Sequence, residues 1–266
     1  MPRRELAKFV FYNTKDDDFF ITSSKPALVV STKDKQASAA LFSEPLRELN
    51  KVKKAIDIGQ IPLGGKLVDI GANVGQICIP GVDKGWFSNA IAIEPDAKNF
   101  LILQANIALN NQNQNIRAVN VALSDTQDQH IQLALSEDNF GDHRIALGQT
   151  ETRTVTTVAN STLDFIIENE SGISLIWMDV QGFEAFVLNG AHRTLTEGLP
   201  LVCEFWPKGM KSFGSYDLFK DLLFKNYSMF CDLGDHNAKI VDISELHQVY
   251  KKLGEGGPFT DLLFLR

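Results

Sequence analysis

The residues able to do chemistry cluster just after short apolar runs. The first group, Asp69-Ile-Gly71-Ala72-Asn73-Val-Gly75, follows KLV. Glycines at a strand-to-helix turn let backbone come close to a ligand, and a nucleotide-like molecule can then lie over the helix N-terminus. The group is not GxGxxG. Asn73 stands where that pattern has its second glycine, and no third glycine follows at the right offset. That disfavours a pyrophosphate cofactor. The second group is Glu94-Pro95, at the end of AIAIEP and 23 residues beyond Gly71. An acid roughly 20 residues after a glycine turn accepts hydrogen bonds from ribose hydroxyls. Such a ribose belongs to S-adenosylmethionine and to NAD alike. The third group, Ala122-Leu-Ser124-Asp125, ends IRAVNVAL, where backbone amides or the Ser124 hydroxyl could read the edge of an adenine.

A fourth group, Asp179-Val-Gln181-Gly182-Phe-Glu184, follows SLIWM, and Glu204 lies in LPLVCEFWP. A carboxylate at such a position can orient a cofactor's amino group, act as general base toward a hydroxyl, or hold a divalent metal. Asp179 and Glu204 together could share a magnesium ion. His143, in a polar loop, and His236, after a later strand, are candidate bases near neutral pH.

These positions fall at one edge if the runs are parallel strands. From residue 66 the chain alternates apolar runs with amphipathic segments: KLVDIG, a short helix, AIAIEP, a helix from Ala97 to about Asn110 capped by Asp96, IRAVNVAL, SLIWMDV, a helix over 183–195, LPLVCEFWP, a helix over 215–226, YSMFCDLG, KIVDI, a helical SELHQVYKKL and TDLLFLR. Unbroken apolar strands between helices imply a doubly wound α/β sheet covered on both faces. Right-handed crossovers put every strand's C-terminal end on one edge, where ligands bind. HIQLALS and RTVTTV, within about 126–160, break the alternation and predict a β-ribbon around the polar loop Glu137–Thr150. Residues 1–64 are expected to form an extension of hairpin plus helix. FVFYN and FFITSS would make the hairpin around Thr14–Asp18. The helix over 43–58 would carry Leu46, Leu49, Val52, Ala55 and Ile56 at helical spacing.

Composition narrows the partners. The formal charge is −7, which tells against a nucleic-acid backbone. The small basic cluster of Lys51, Lys53 and Lys54, near Arg47, reads as a solvated helix face. The cysteines, Cys78, Cys203 and Cys231, are odd in number, form no CxxC and sit in apolar runs, as buried thiols of a cytoplasmic protein do. No signal peptide is visible and no run of about 18 apolar residues exists, so no membrane partner is expected.

Taken together, LVDIGANVG (67–75), IAIEPD (91–96), NVALSD (120–125), IWMDVQGFEAFVLNGA (176–191) and LVCEFWP (201–207) resemble the FkbM family of methyltransferases, over about residues 66–207. The family usually has Glu where this chain has Gln181. The resemblance implies a Rossmann-like class I methyltransferase fold, a seven-stranded sheet whose last strand, here TDLLFLR, is antiparallel. It implies S-adenosylmethionine and a hydroxyl acceptor on a sugar or small natural product. Asp69, Gly71, Ala72, Asn73 and Gly75 would surround the cofactor's methionine part, Glu94 and Pro95 its ribose, and Ser124 and Asp125 its adenine. Asp179 would border the cofactor as well. A base for the acceptor would be His143 or Asp179, with Glu204 beside it. A nicotinamide-dependent oxidoreductase and an inactive nucleotide-binding module are the competing readings.

Overall fold

A computed structural model describes residues 3–15, 18–45, 47–127, 129–148 and 151–266, without the Arg3 side chain. Helix α1 (Arg3–Tyr12) leads into strands β1 (Phe19–Ile21) and β2 (Val29–Ser31), then α2 (Ala37–Ser43) and α3 (Arg47–Gly59). The alternating part begins with β3 (Gly65–Ile70), α4 (Cys78–Asp83), β4 (Phe87–Ile93), α5 (Ala97–Leu109) and β5 (Ile116–Val119). Next come β6 (Ala122–Leu123), β7 (His130–Leu135), β8 (Arg144–Ile145), β9 (Thr154–Ser161) and α6 (Leu163–Ile166). The rest comprises β10 (Ile173–Met178), α7 (Glu184–Asn189), α8 (His192–Glu197), β11 (Leu201–Phe205), α9 (Pro207–Ser212) and α10 (Tyr216–Asn226). It closes with β12 (Met229–Asp232), β13 (Val241–Asp242), α11 (Leu246–Leu253) and β14 (Thr260–Leu265).

The main sheet runs β13-β12-β14-β11-β10-β3-β4-β5. Strands β11, β10, β3, β4 and β5 are mutually parallel, and β14 inserts antiparallel between β11 and β12. The sheet has eight strands where seven were expected. The extra one is β13, a two-residue pairing on the edge of β12. Alternate residues of each central strand enter opposite layers. Val68, Ile70, Ile91, Ile93, Ile176 and Met178 pack on one face, and Leu67, Ala90, Ala92, Leu175 and Trp177 on the other. Both faces are apolar, so the strands read as unbroken runs. All three cysteines are free and buried. Among the described residues no helix is long and apolar enough to cross a membrane.

Three expectations are corrected. FVFYN is the end of α1, not a strand. Ala7 and Phe11 are one helical turn apart, and Phe11 is fully buried among Phe20 and Phe42. The hairpin forms instead between β1 and β2. Asp16 and Asp17 of the expected turn, and Leu46 of the helix over 43–58, lie outside the described residues. IRAVNVAL is two strands. The Asn120 side chain donates to the carbonyls of Glu94 and Pro95, at 2.8 and 3.0 Å, and turns the chain there. Beyond it β6 pairs with β9 in a separate sheet ordered β6-β9-β7-β8. The helix over 183–195 is broken into α7 and α8 around Gly190.

The N-terminal strands are held by α5. Buried Asn106 accepts from Val29 N–H at 2.6 Å and donates to the carbonyls of Val29 and Val74 at 3.1 and 2.9 Å. One turn on, Asn110 accepts from Ala27 N–H at 3.2 Å and donates to the Ala27 carbonyl at 2.7 Å. Asn106→Ala leaves three backbone groups without these partners, at about 1–3 kcal/mol for each that stays buried. Urea unfolding should show a loss of at least about 2 kcal/mol, with proteolysis speeding first within residues 3–45. An unchanged midpoint would mean the clamp is dispensable.

Candidate active site

The C-terminal ends of β3, β4, β10 and β11 form the floor of a cavity of about 300 Å3. Its roof is made by α2, the start of α3 and the 139–145 segment. The roof is tied down where Lys35 N–H donates to the Asp138 carbonyl at 2.8 Å and Asn99 Nδ2 to the Phe140 carbonyl at 3.1 Å.

The glycine turn lies at the floor's centre. Gly71 has φ +81°, and a β-carbon there would meet the Asp179 carbonyl oxygen at 1.9 Å. Asn73 adopts φ +50°, which aims its N–H at Glu94 Oε2, 2.9 Å away. Glu94 Oε1 accepts from Asp96 N–H at 2.9 Å. Asp96 in turn caps α5, accepting from the Lys98 and Asn99 amides. Glu94 is thus fixed by two backbone donors, and burial pushes its carboxyl up to about 8. Asp69 accepts from Cys78 N–H at 3.1 Å, and burial raises it to about 7. The Asn73 Oδ1 is buried without a hydrogen-bond partner.

At the other end of the cavity, Asp179 and Glu204 approach across β10 and β11. The Gln181 amide donates to Asp179 Oδ1 at 2.6 Å and to Glu204 Oε2 at 3.1 Å. It occupies the ground between the two acids where a shared magnesium ion was envisaged. Among the described residues no group of three or more His, Cys, Asp or Glu side chains is arranged to hold a metal. Burial raises Asp179 to about 6, with the Gln181 bond opposing the rise. Burial, and then the charges of Asp179, Glu184 and Asp261, hold Glu204 well above the usual carboxylate range. Glu184 lies beneath the loop, accepting from the Val180 and Gly182 amides at 3.2 and 3.1 Å, and burial raises it to about 7. Asp261 of β14 sits opposite Glu204 in register and pairs with Lys51 Nζ at 2.6 Å.

The cavity therefore gathers Asp69, Gly71, Asn73, Glu94, Pro95, His143, Asp179 and Glu204. Four expected residues stand apart from its lining. Ala72 packs in the core, and Gly75 lies under Ile79 and Leu103. The Ser124 hydroxyl is taken by Asn160 at 2.8 Å and Thr126 N–H at 3.1 Å, where it joins β6 to β9. Asp125 is exposed and accepts from Asn189. Backbone and apolar groups at Val121–Leu123 face the cavity in their place. His143 cannot serve as drawn. Its Nδ1 accepts from Ser136 N–H at 3.0 Å, and burial lowers its pKa, so the neutral ring carries its proton on Nε2. In that form Nδ1 is occupied and Nε2 is left to donate a hydrogen bond.

Lys51 and Asp261 were missed. Lys53 is exposed beside Asp57, as a solvated face requires, but Lys51 turns into the cavity. Asp261 was visible as the single charge inside the apolar TDLLFL.

The strand order, with an antiparallel strand inserted between β11 and β12, defines a Rossmann-like fold of the methyltransferase type. The chain belongs to the methyltransferase FkbM domain family, whose pattern matches residues 69–225, more than half its length. No curated protein matches it in sequence. In structure it is similar to methyltransferase FkbM from Methylobacillus flagellatus KT, at 18% identity and TM-score 0.47, over 98% of this chain and 59% of that one. It is similar to M. jannaschii TYW2, solved in complex with AdoMet, at 13% identity and TM-score 0.47, over 95% and 88%. A third likeness, to the B. subtilis tRNA methyltransferase TrmK, has 15% identity and TM-score 0.42, over 80% and 64%. The chain thus spans less than two thirds of the first and third of these proteins.

The raised carboxyls set the pH response. Asp69, Glu94, Asp179 and Glu184 bind protons more tightly folded than unfolded, so they favour folding while protonated. That contribution is complete below their unfolded values, about 4. It is lost as pH rises through the folded values of about 6 to 8. The melting temperature of the free protein should fall from about pH 5 to about pH 8. A flat or rising profile in scanning calorimetry would show that these acids are not held as described.

Proposed function

We propose that the chain binds S-adenosylmethionine in this cavity and methylates a hydroxyl of a sugar or small natural product. The observation that carries the reading is electrostatic. Asp69, Glu94 and Asp179 are buried at one cavity with raised pKa values, and the Lys51 ammonium beside them is already paired with Asp261 and Glu48. Such a site favours a ligand bearing positive charge and repels one bearing a pyrophosphate. S-Adenosylmethionine supplies a methyl group already activated on a sulfonium, and it carries an ammonium group as well.

The residues present fit it. Asn73 Oδ1 offers a buried acceptor with no partner, suited to an ammonium donor, and the Asp69 carboxyl, which holds the Cys78 N–H, lines the same cavity. Each Glu94 oxygen holds one backbone N–H and keeps a lone pair for a ribose hydroxyl. Pro95, Leu123, Leu133 and Phe140 offer apolar walls for a purine. Asp179 is the base for the acceptor hydroxyl. With a pKa of about 6 it is mostly ionised at neutral pH, and the Gln181 amide fixes its orientation. Glu204, held well above the usual carboxylate range by burial, lies beside it. His143 donates from Nε2, and the roof excludes water while the reactants are held in line.

Ligand at about 100 times its dissociation constant adds ~2.7 kcal/mol, which in a domain of this size raises the melting point by several degrees. S-Adenosylmethionine and S-adenosylhomocysteine should both do so, NAD should not, and Glu94→Ala should weaken the response. A rise with NAD alone would replace this reading with the oxidoreductase one. With any hydroxyl compound that turns over, Asp179→Asn should lower kcat by about 10²–10⁴. The wild-type rate should fall as pH drops through about 6. Gln181→Glu, which sets a third carboxyl against the pair, should move that limb to higher pH. A limb that stays in place in this variant would take Asp179 out of the base role.

A further inference from the structure

A second concave site adjoins the first. A cavity of about 170 Å3 between α1 and α2 is lined by Arg4, Lys8, Lys35 and Arg47, with Glu44 the acid among its described lining residues. Ala40, Glu44 and Arg47 line both this cavity and the larger one, so the two adjoin. Among the described lining residues cations outnumber acids, a local reversal of sign in a chain whose net charge is −7. Three of the cations have local contacts. Arg4 pairs with Glu44, Arg47 Nε lies 3.7 Å from Glu48, and Lys35 Nζ sits over the Phe11 ring at 6.0 Å. Among the described residues no acid pairs with Lys8, so the hollow keeps a positive charge that an anion entering it would meet.

We infer that this hollow binds a phosphate group carried by the methyl acceptor. The inference rests on the methyltransferase reading. A phosphate monoester carries close to two negative charges at neutral pH, and it matches arginine forks and lysine point charges. The larger cavity, rich in carboxyls, repels that group. The two cavities therefore orient the acceptor between them. Its uncharged hydroxyl end turns toward Asp179, and its phosphate end stays between α1 and α2.

Thermal unfolding of the full chain with inorganic phosphate, with a hexose monophosphate and separately with S-adenosylhomocysteine tests this. Wild type should be stabilised by both phosphates. Lys8→Gln should bind them about tenfold more weakly or worse, as loss of a charged donor implies, and Lys8→Glu, which reverses the charge, more weakly still. Both variants should keep the wild-type response to S-adenosylhomocysteine, which also shows that they are folded. Lys53→Gln, an exposed charge remote from the hollow, should bind phosphate as wild type does. No stabilisation of wild type by either phosphate, or equal stabilisation in both variants, overturns the site, while an intact S-adenosylhomocysteine response leaves the methyltransferase reading standing. A phosphate response that depends on Lys8 but comes without any S-adenosylhomocysteine response overturns the assignment of the phosphate to a methyl acceptor.

Discussion

Where β3 turns at its C-terminal end, the backbone of residue 71 passes so close to the Asp179 carbonyl that no side chain fits between them. The Asp179 N–H is bonded to the Ile70 carbonyl, and the Gly71 and Ala72 amides to that of Ile93. Three neighbouring strands thus end as one stitched edge. The stitching brings Asp69 and Asp179 into each other's field and points Asn73 at Glu94. A bulkier residue at 71 would part β3 from β10, and the cavity floor with it.

An edge built this way carries an electrostatic burden. Its acids are shielded from water by the roof, and much of their compensation comes from backbone amides, with Gln181 and Lys51 among the side-chain donors. Backbone dipoles fix a carboxyl in place without neutralising it. The folded protein consequently holds several acids in a state that favours either a proton or a positively charged ligand. Gln181 matters in that balance. An amide between Asp179 and Glu204 donates to both, whereas a carboxyl there would set a third acid beside them.

The central strands and α5 were legible because each obeys one period throughout. Val68 and Ile70 alternate with Leu67 and Asp69, and Asp96 stands at the cap it signals. The glycine turn, Glu94 and Asp179 were legible because strand ends announce themselves. What stayed hidden depends on contacts remote in sequence. Phe11 looks like a strand residue until Phe20 and Phe42 pack on it. Ser124 looks like a ligand contact until Asn160, 36 residues on, takes its hydroxyl. The tautomer of His143 is decided by one amide, and Lys51 by where α3 docks. The second basic hollow needs α1 and α2 side by side, which no local pattern specifies.

Asn99, Asn106 and Asn110 lie at spacings of seven and four along α5, and so on one face of it. Each reaches a different segment: the 139–145 segment of the roof, β2 and the approach to β2. Every partner they bind there is a main-chain carbonyl or amide. The helix therefore grips its neighbours without reading their side chains. Residues of the roof that face the cavity can change while the attachment stays as it is. Drift in what the cavity accepts is thus uncoupled from the integrity of the cover over it, and a single helix keeps the two apart.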